Sequence, residues 1–527
     1  MRLCFLQLIA SLGRWSLIRW KKRRAGLAAA GGLALACLPF FYWLAGYLNL
    51  DFWYDEVFSL THFIFAPWLT TLTDYTSANN HIFFEILSRL YLSALNIRDL
   101  STALDHPAEV RALMLVYTAL TLVVTAAIGF KYFNRRVAVL AVLGLTTTLP
   151  YLNDAVQFRG YSLSLLLTAL VVYFLLAHLR HPQWKTSLAL GAVSTALIYT
   201  VPTNAYFIGG AILLLGAASV IHARKAPASG WLRPALASPE GITLLVLVAA
   251  SLLAGLLYLP ALGNLLHYGI QHSGAIYSLK TRLLLAPRTL AYFLSYRYLL
   301  LLGVILGLAV AVQRKSHGYL VQSLSLIFVI GFPFAVHFLA GFEPVDRIFS
   351  LLMLPFVFLI ALSLDYLLSA FPILIRWQGW LIGLVILYCQ ATLAFAIGVR
   401  NTQLLADIHQ GHTSQNINDN YFQAFYGPSQ LIAVYHDAYQ KASDPLVILY
   451  YGDNLATPAY LANENIPAIK VAEASQVPLT PSAATYVLTA FPDLFLRALQ
   501  VAYPAAQCQL LQPEPAFLNL YGCRLAQ

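Results

Sequence analysis

Apolar residues fall in long, nearly uninterrupted runs along this chain, and short charged stretches separate them. A helix rises about 1.5 Å per residue, so runs of roughly 17–23 apolar residues match the thickness of a bilayer core. Read in order, the runs cover about 27–48, 109–131, 137–153, 159–179, 186–202, 204–222, 241–262, 289–312, 319–341, 347–369 and 379–399. One more stretch, "NNHIFFEILSRLYLSAL" at 79–95, decides the topology. If it does not cross, "KYFNRR" (131–136), "HLRHPQWK" (178–185), "HARK" (222–225), "QRKSH" (313–317) and Arg376 lie on the side of the Lys21–Arg24 cluster. If it crosses, all of them lie opposite. Lys and Arg in short loops mark the cytoplasmic face, so the stretch is expected to lie on the surface. Glu85 and Arg89, one helical turn apart, also suit an interfacial helix.

The expectation is a polytopic α-helical membrane protein of about 11 transmembrane helices, N-terminus inside and C-terminus outside. Residues 1–24 alternate apolar side chains with Arg, as an amphipathic helix on the cytoplasmic surface would. Ala34-Leu35-Ala36 resembles a cleavage site, but the apolar run continues past it, which predicts an uncleaved anchor. The first outer loop, about 49–108, is long enough for two juxtamembrane helices.

Beyond about residue 400 the pattern changes. "DPLVILYYG" (444–452) and "ATYVLTA" (484–490) read as short buried strands, whereas 427–443 and 492–503 read as helices. This predicts two units: a transmembrane module, 1–399, and a small extracytoplasmic α/β domain, 400–527. Cys508 and Cys523 flank two further strands joined by "QPEPA" and form either a disulfide or two buried thiols.

Composition agrees. The 527 residues are 59% hydrophobic and 10% charged, against about a quarter charged in soluble domains. The net charge of +10 does not indicate nucleic acid, because the basic residues sit in short clusters between spans. Cys4, Cys37 and Cys389 fall in or near apolar runs and read as small core residues.

The unusual polar residues gather on the outer side. Asp55 and Glu56 follow the first span in "NLDFWYDEVFSLTHF"; Asn79, Asn80 and His81 open the second surface helix. Asn153, Asp154, Gln157 and Arg159 lie between two spans; Lys280, Arg282 and Arg288 lie in the loop at about 263–288; Glu343, Asp346 and Arg347 open a late span. Outer arginines oppose the positive-inside bias, and an anionic ligand explains them, since an Arg fork matches phosphate geometry. A carboxylate base beside such an arginine at a membrane surface suggests glycosyl transfer from a lipid-linked sugar. The carboxylate takes the acceptor's proton and the cation meets the leaving phosphate.

Four segments together resemble the GT-C glycosyltransferases, in particular the bacterial branch of protein O-mannosyltransferases and aminoarabinose transferases (family 39-type). "YDEVFSL" is similar to the family's Asp-Glu motif in the first outer loop, which implies Asp55 as catalytic base and Glu56 as its neighbour. "NNHIFFEILSRLY" resembles the His-Pro segment that opens the second juxtamembrane helix, with Ile82 where the family has proline. "QFRGYSLSLLL" carries Arg159 and Tyr161 of an Arg-x-Tyr segment, and "DRIFSLLMLPFVFLIA" places Arg347 at the entry to a late span. The likeness covers about 25–400 and implies an inverting transfer from a polyprenyl-phosphate sugar to a glycan, lipid or protein hydroxyl. It implies the extracytoplasmic face of a bacterial inner membrane. Arg159, Arg347, Tyr161, Lys280, Arg282 and Arg288 are then candidates for the donor phosphate, and His81, Asp154 and Asn80 for the acceptor or a metal. Asp55, His81 and Asp154 have the ligand types for a divalent ion; no organic cofactor is expected.

Blander readings stand beside these. Asp55-Glu56 also suits a helix N-terminus, His81 can cap its helix, and Asp154 can pair with Arg159. Arg159, Arg347, Lys280, Arg282 and Arg288 can reach lipid headgroups. A transporter or flippase is the alternative function, but such proteins place ionisable residues at the midplane and repeat internally, and neither feature stands out. A non-catalytic assembly or receptor protein working through its tail is a third.

Overall fold

The computed structural model describes residues 31–75, 79–223, 232–273, 278–340, 346–409, 432–435, 447–450, 456–511 and 519–526, apart from 32, 35, 433, 472, 482, 483, 490 and 491. The expected amphipathic helix at 1–24, Glu343 and most of the helix expected at 427–443 lie outside the described residues.

The chain is helical up to Tyr47, then enters the long loop that precedes the bundle. There α1 (Tyr54–Ser59) runs into a π-helical turn, Leu60–Ile64. A short helix, Trp68–Thr73, α2 (Ile82–Ala94) and another short helix, Leu100–Asp105, follow. The loop thus holds four helical pieces where two were expected. At 13 residues, α2 is about 20 Å long and cannot span a core of about 30 Å. The surface reading of 79–95 therefore stands.

The bundle is built from α3 (Pro107–Tyr132), α4 (Arg135–Thr146), α5 (Leu149–Val156), α6 (Gly160–Arg180), α7 (Trp184–Thr200), α8 (Ala205–Ala223) and α9 (Pro239–Leu257). It continues with α10 (Leu279–Leu294), α11 (Tyr298–Gln313), α12 (His317–Ala340), α13 (Met353–Ala370) and α14 (Gln378–His409). Among the described residues seven helices are long and apolar enough to cross a membrane, or nine if each of two bent pairs counts as one span. The expected span 186–202 is a 17-residue helix, and the first expected span is only partly described. The segment Arg347–Ala370, 83% of whose apolar stretch is buried, is the central element, packed on α4, α11 and α12.

Two expected straight spans are bent. The run 137–153 breaks by 68° between α4 and α5, where extended Thr148 precedes a helix with Pro150 in its first turn. The run 289–312 is replaced by α10 and α11 at 109°, because Ser295 and Tyr296 take left-handed backbone angles, φ 46° and 67°. The two breaks meet on Arg297, which is 2% exposed. Its guanidinium donates to Leu294 O (2.8 Å), Phe293 O (3.0 Å), Gly144 O (3.2 Å) and Thr147 Oγ1 (2.5 Å). Two helix C-termini thus present their partial negative ends to one cation. The same bend turns Lys280, Arg282 and Arg288, expected in a loop, into residues of α10.

The C-terminal unit is a five-stranded sheet of order β2-β1-β3-β5-β4, from β1 (Val447–Tyr450), β2 (Ala468–Val471), β3 (Thr485–Thr489), β4 (Ala506–Leu510) and β5 (Asn519–Leu525). β1 is parallel to β2 and β3, and β5 is antiparallel to β3 and β4. Two helices, α15 (Ala456–Asn463) and α16 (Pro492–Ala502), accompany the sheet. Cys508 and Cys523 are direct cross-strand partners and are joined by a disulfide.

Candidate active site

Glu56 explains why the Asp-Glu segment holds its shape. Its Oε2 accepts the Trp53 N–H at 2.8 Å, closing the first turn of α1. Its Oε1 accepts the Phe158 N–H at 2.7 Å, tying α1 to the entry of α6. Arg111, one turn into α3, grips both oxygens, Nε–Oε1 at 3.0 Å and Nη2–Oε2 at 2.8 Å. The same guanidinium donates to Leu48 O (2.9 Å), Leu50 O and Asp51 O (3.1 Å), and lies over the Phe52 ring. Both side chains of the pair are 0% exposed. Removing one partner of such a pair strands a buried charge, at a cost of about 3–5 kcal/mol. Glu56, expected as the neighbour of the base, is therefore held as a structural anchor, with both of its oxygens engaged by protein donors.

Asp55 points the other way. Its Oδ2 lies 2.7 Å from Arg347 Nη2 and its Oδ1 accepts from Asn79 Nδ2 at 3.2 Å. Arg159 Nη1 donates to the Asp55 carbonyl (3.0 Å) and to Ser59 Oγ (2.7 Å), and its Nη2 donates to Asn79 Oδ1 (3.1 Å). Burial alone would raise the Asp55 carboxyl, but the charges of Arg347 and Arg159 and the Asn79 hydrogen bond together hold it below the ordinary carboxylate range. Asp55 is an ionised acceptor at neutral pH.

His81 stands behind this cluster. Its Nδ1 accepts the Gly160 N–H at 3.0 Å, and its ring meets Tyr161 edge to face. Burial, then Arg159 and Arg347, push its pKa well below the usual value, so the ring is neutral. Gly160 is needed there: a Cβ would stand 2.7 Å from His81 Nδ1. His81 begins α2 without capping it through its side chain.

The expected residues separate into groups. Asp55, His81, Arg159, Tyr161 and Arg347 come together, with Arg347 5.9 Å from the Tyr161 ring centroid. Asp154, on α5, is buried beside Ser350 and within the field of Arg347. Asn80 does not face the cluster. Its Nδ2 caps the preceding loop through Thr71 O (2.9 Å) and Asp74 O (2.7 Å), and the neighbouring Asn79 touches Asp55 instead. Arg159, 1% exposed, spends its guanidinium on protein oxygens, which makes it a brace for Asp55. Arg282 donates to Phe338 O at 3.2 Å, whereas Lys280 and Arg288 are exposed on α10.

The ligand set Asp55, His81 and Asp154 is not assembled: among the described residues no three His, Cys, Asp or Glu side chains converge on a metal-sized point. His81 Nδ1 is already taken by the Gly160 N–H and Asp55 by Arg347, so these residues as arranged do not fit a metal.

Two buried groups were not anticipated. Arg111 is one; a lone arginine inside an apolar span is the signal that marks it. The other is the surroundings of Glu85. The expected Glu85–Arg89 surface pair does not form. Arg89 turns to Ile64 O (2.5 Å), Phe63 O (2.9 Å) and Ala66 O and stacks on Trp68. Glu85 faces inward, 0% exposed, and burial pushes its pKa up to about 8, against the opposing charge of Arg159. Burial thus favours its protonated form near neutral pH.

No sequence-family model matches the chain, and no curated protein sequence does. Solved structures do. ArnT from Cupriavidus metallidurans in the apo state is 13% identical, with a TM-score of 0.52 over 95% of this chain and 99% of that one. The same protein bound to undecaprenyl phosphate is 13% identical, with a TM-score of 0.53 over 94% of this chain and 98% of that one. The Archaeoglobus fulgidus oligosaccharyltransferase in complex with Zn and sulfate is 9% identical and covers 94% of this chain and 73% of its own. Its TM-score of 0.41 is too low to add to the assignment. ArnT is an aminoarabinose transferase of the GT-C class, and the fold of this multi-pass membrane protein is the GT-C fold.

Proposed function

We propose that the protein is a glycosyltransferase that moves a sugar from a polyprenyl-phosphate donor to an acceptor hydroxyl at the extracytoplasmic face of a bacterial inner membrane. The observation that carries this reading is the Asp55–Arg347 pair, an ionised carboxylate 2.7 Å from a guanidinium, in the outer loop of a GT-C fold. The likeness to ArnT with undecaprenyl phosphate bound supports the choice of donor class.

In this mechanism the acceptor oxygen attacks the anomeric carbon while its proton passes to Asp55, and the bond from that carbon to the phosphate oxygen breaks. The electron pair leaves with the lipid phosphate, whose developing charge Arg347 meets. Attack opposite the leaving group inverts the anomeric centre. Arg159 and Asn79 hold the Asp55 carboxylate in place, Tyr161 lies against Arg347, and neutral His81 adds no competing charge. The acceptor is a hydroxyl of a glycan, lipid or protein.

The test is transfer by purified protein from a panel of polyprenyl-phosphate sugars, with the anomeric configuration of the product read by NMR. An inverted product from the wild type and loss of transfer in Asp55→Asn are expected. Full activity of that variant overturns the base assignment, and failure of the wild type with every donor favours a transporter or flippase.

A further inference from the structure

Helix α15 belongs to the C-terminal unit, yet its polar side chains bond to the outer loop of the transmembrane module. Tyr460 is 5% exposed, and its hydroxyl oxygen accepts the Phe52 backbone N–H at 2.8 Å across 408 positions of sequence. One turn along, Asn463 Nδ2 donates to Asp105 Oδ1 at 3.2 Å, and Asn463 Oδ1 accepts from Ser101 Oγ. α15 also packs against α1.

The position of Tyr460 matters because of what surrounds Phe52. The strand-like stretch before α1 lies outside any helix, so its buried N–H needs a partner from elsewhere. Phe52 is 2% exposed, and its ring lies 4.7 Å beneath the Arg111 guanidinium that holds Glu56. Arg111 and Glu56 fix this stretch from the bundle side through its carbonyls and the Trp53 N–H. Tyr460 supplies the partner for the Phe52 N–H from the C-terminal unit. The segment that presents Asp55 is therefore gripped between the two units.

We propose that Tyr460 is a positioning residue: through its bond to Phe52, the docked C-terminal unit sets the Asp55 segment, so turnover depends on that docking. This rests on the reading of Asp55 as the base. Losing the bond leaves a buried N–H unpaired and lets the segment relax. A misplacement of about 1 Å is enough to slow transfer strongly.

The experiment compares full-length wild type, Tyr460→Phe and Asn463→Ala in lipid nanodiscs, by kinetics and by hydrogen–deuterium exchange. Tyr460→Phe keeps the ring and removes only the acceptor oxygen. A fall in kcat of about tenfold, an unchanged KM for the donor and an unchanged pH profile are expected. Faster exchange confined to peptides covering 48–60 should accompany it, with Asn463→Ala giving a smaller change of the same kind. Unchanged exchange and unchanged kcat overturn the proposal. So does a raised KM with kcat intact, which would make α15 a binding surface. If the wild type transfers nothing, the functional reading fails, whereas the exchange measurement still decides whether Tyr460 sets the segment.

Discussion

Asp55 and Glu56 are adjacent carboxylates, each paired with an arginine from a distant helix, and the two pairs differ in kind. The Glu56–Arg111 pair is 0% exposed on both sides, whereas Arg347 and Asp55 keep 18% and 8% of their side chains exposed. Glu56 uses both oxygens on four donors that tie three elements together. Among the described residues the Asp55 carboxylate has Arg347 and a longer bond to Asn79. A closed, fully satisfied ion pair fixes a backbone; a more open one beside it can exchange partners. The dipeptide works because one residue holds still what the other presents.

The widest contrast comes from neutralising each in turn. Asp55→Asn is expected to lower turnover by about 10²–10⁴-fold, the range for a general base, and to lower the melting temperature in detergent less than Glu56→Gln does. Glu56→Gln is expected to act on stability first, by about 3–5 kcal/mol, because Arg111 stays buried without its charge. The double variant Glu56→Gln/Arg111→Met should recover part of that loss. If Glu56→Gln melts like the wild type and only turnover falls, the division of roles is wrong.

This division was only half legible in the sequence. The period of the apolar runs and the sidedness of Lys and Arg were enough for the span order and for the surface reading of α2, because both follow from the solvent alone. The pairing was not legible. Arg111 stands out as an arginine within an expected span, but its partner is not legible until α3 is seen to turn it onto Glu56. Asn79 and Asn80 are equivalent in a string of letters, and only the path of the loop decides which one faces Asp55. Arg297 sits inside an expected straight span, and two left-handed residues before it, Ser295 and Tyr296, make it the junction of two bends. Neither of those is a glycine, so no local signal announced the turn.

A smaller effect should appear when Arg347 is removed and Asp55 is left in place. With Arg347 present the folded carboxyl lies below the ordinary carboxylate range, so the acid limb of the rate profile should fall only below about pH 4. Its contribution to stability is likewise present above the unfolded pKa and lost as the pH falls through the folded one. In Arg347→Gln burial acts with less opposition, so the acid limb should move up, together with a lower kcat. An acid limb that stays where it was would mean that Arg347 does not set the ionisation of Asp55.

The smallest expected effect concerns Glu85, the carboxyl that has neither arrangement. It is buried like Glu56 but has no bound arginine, and its pKa is pushed up to about 8 from an unfolded value near 4.3. Between those values the folded protein binds one more proton than the unfolded chain. Stability should therefore fall as the pH rises from about 4.3 to 8, and then level off. Glu85→Gln keeps the shape of a neutral acid and removes the titration. Its melting temperature should match that of the wild type near pH 5 and exceed it near pH 9, a comparison made by thermal denaturation at matched ionic strength. Because Arg159 is the cation whose charge acts most on Glu85, ionisation should also draw Arg159 away from the Asp55 carbonyl, and the wild type should lose turnover above pH 8 where the Gln variant does not. Equal melting temperatures at both pH values would mean that Glu85 is already charged in the folded protein, and that the Asp55 site is braced by a second ion pair.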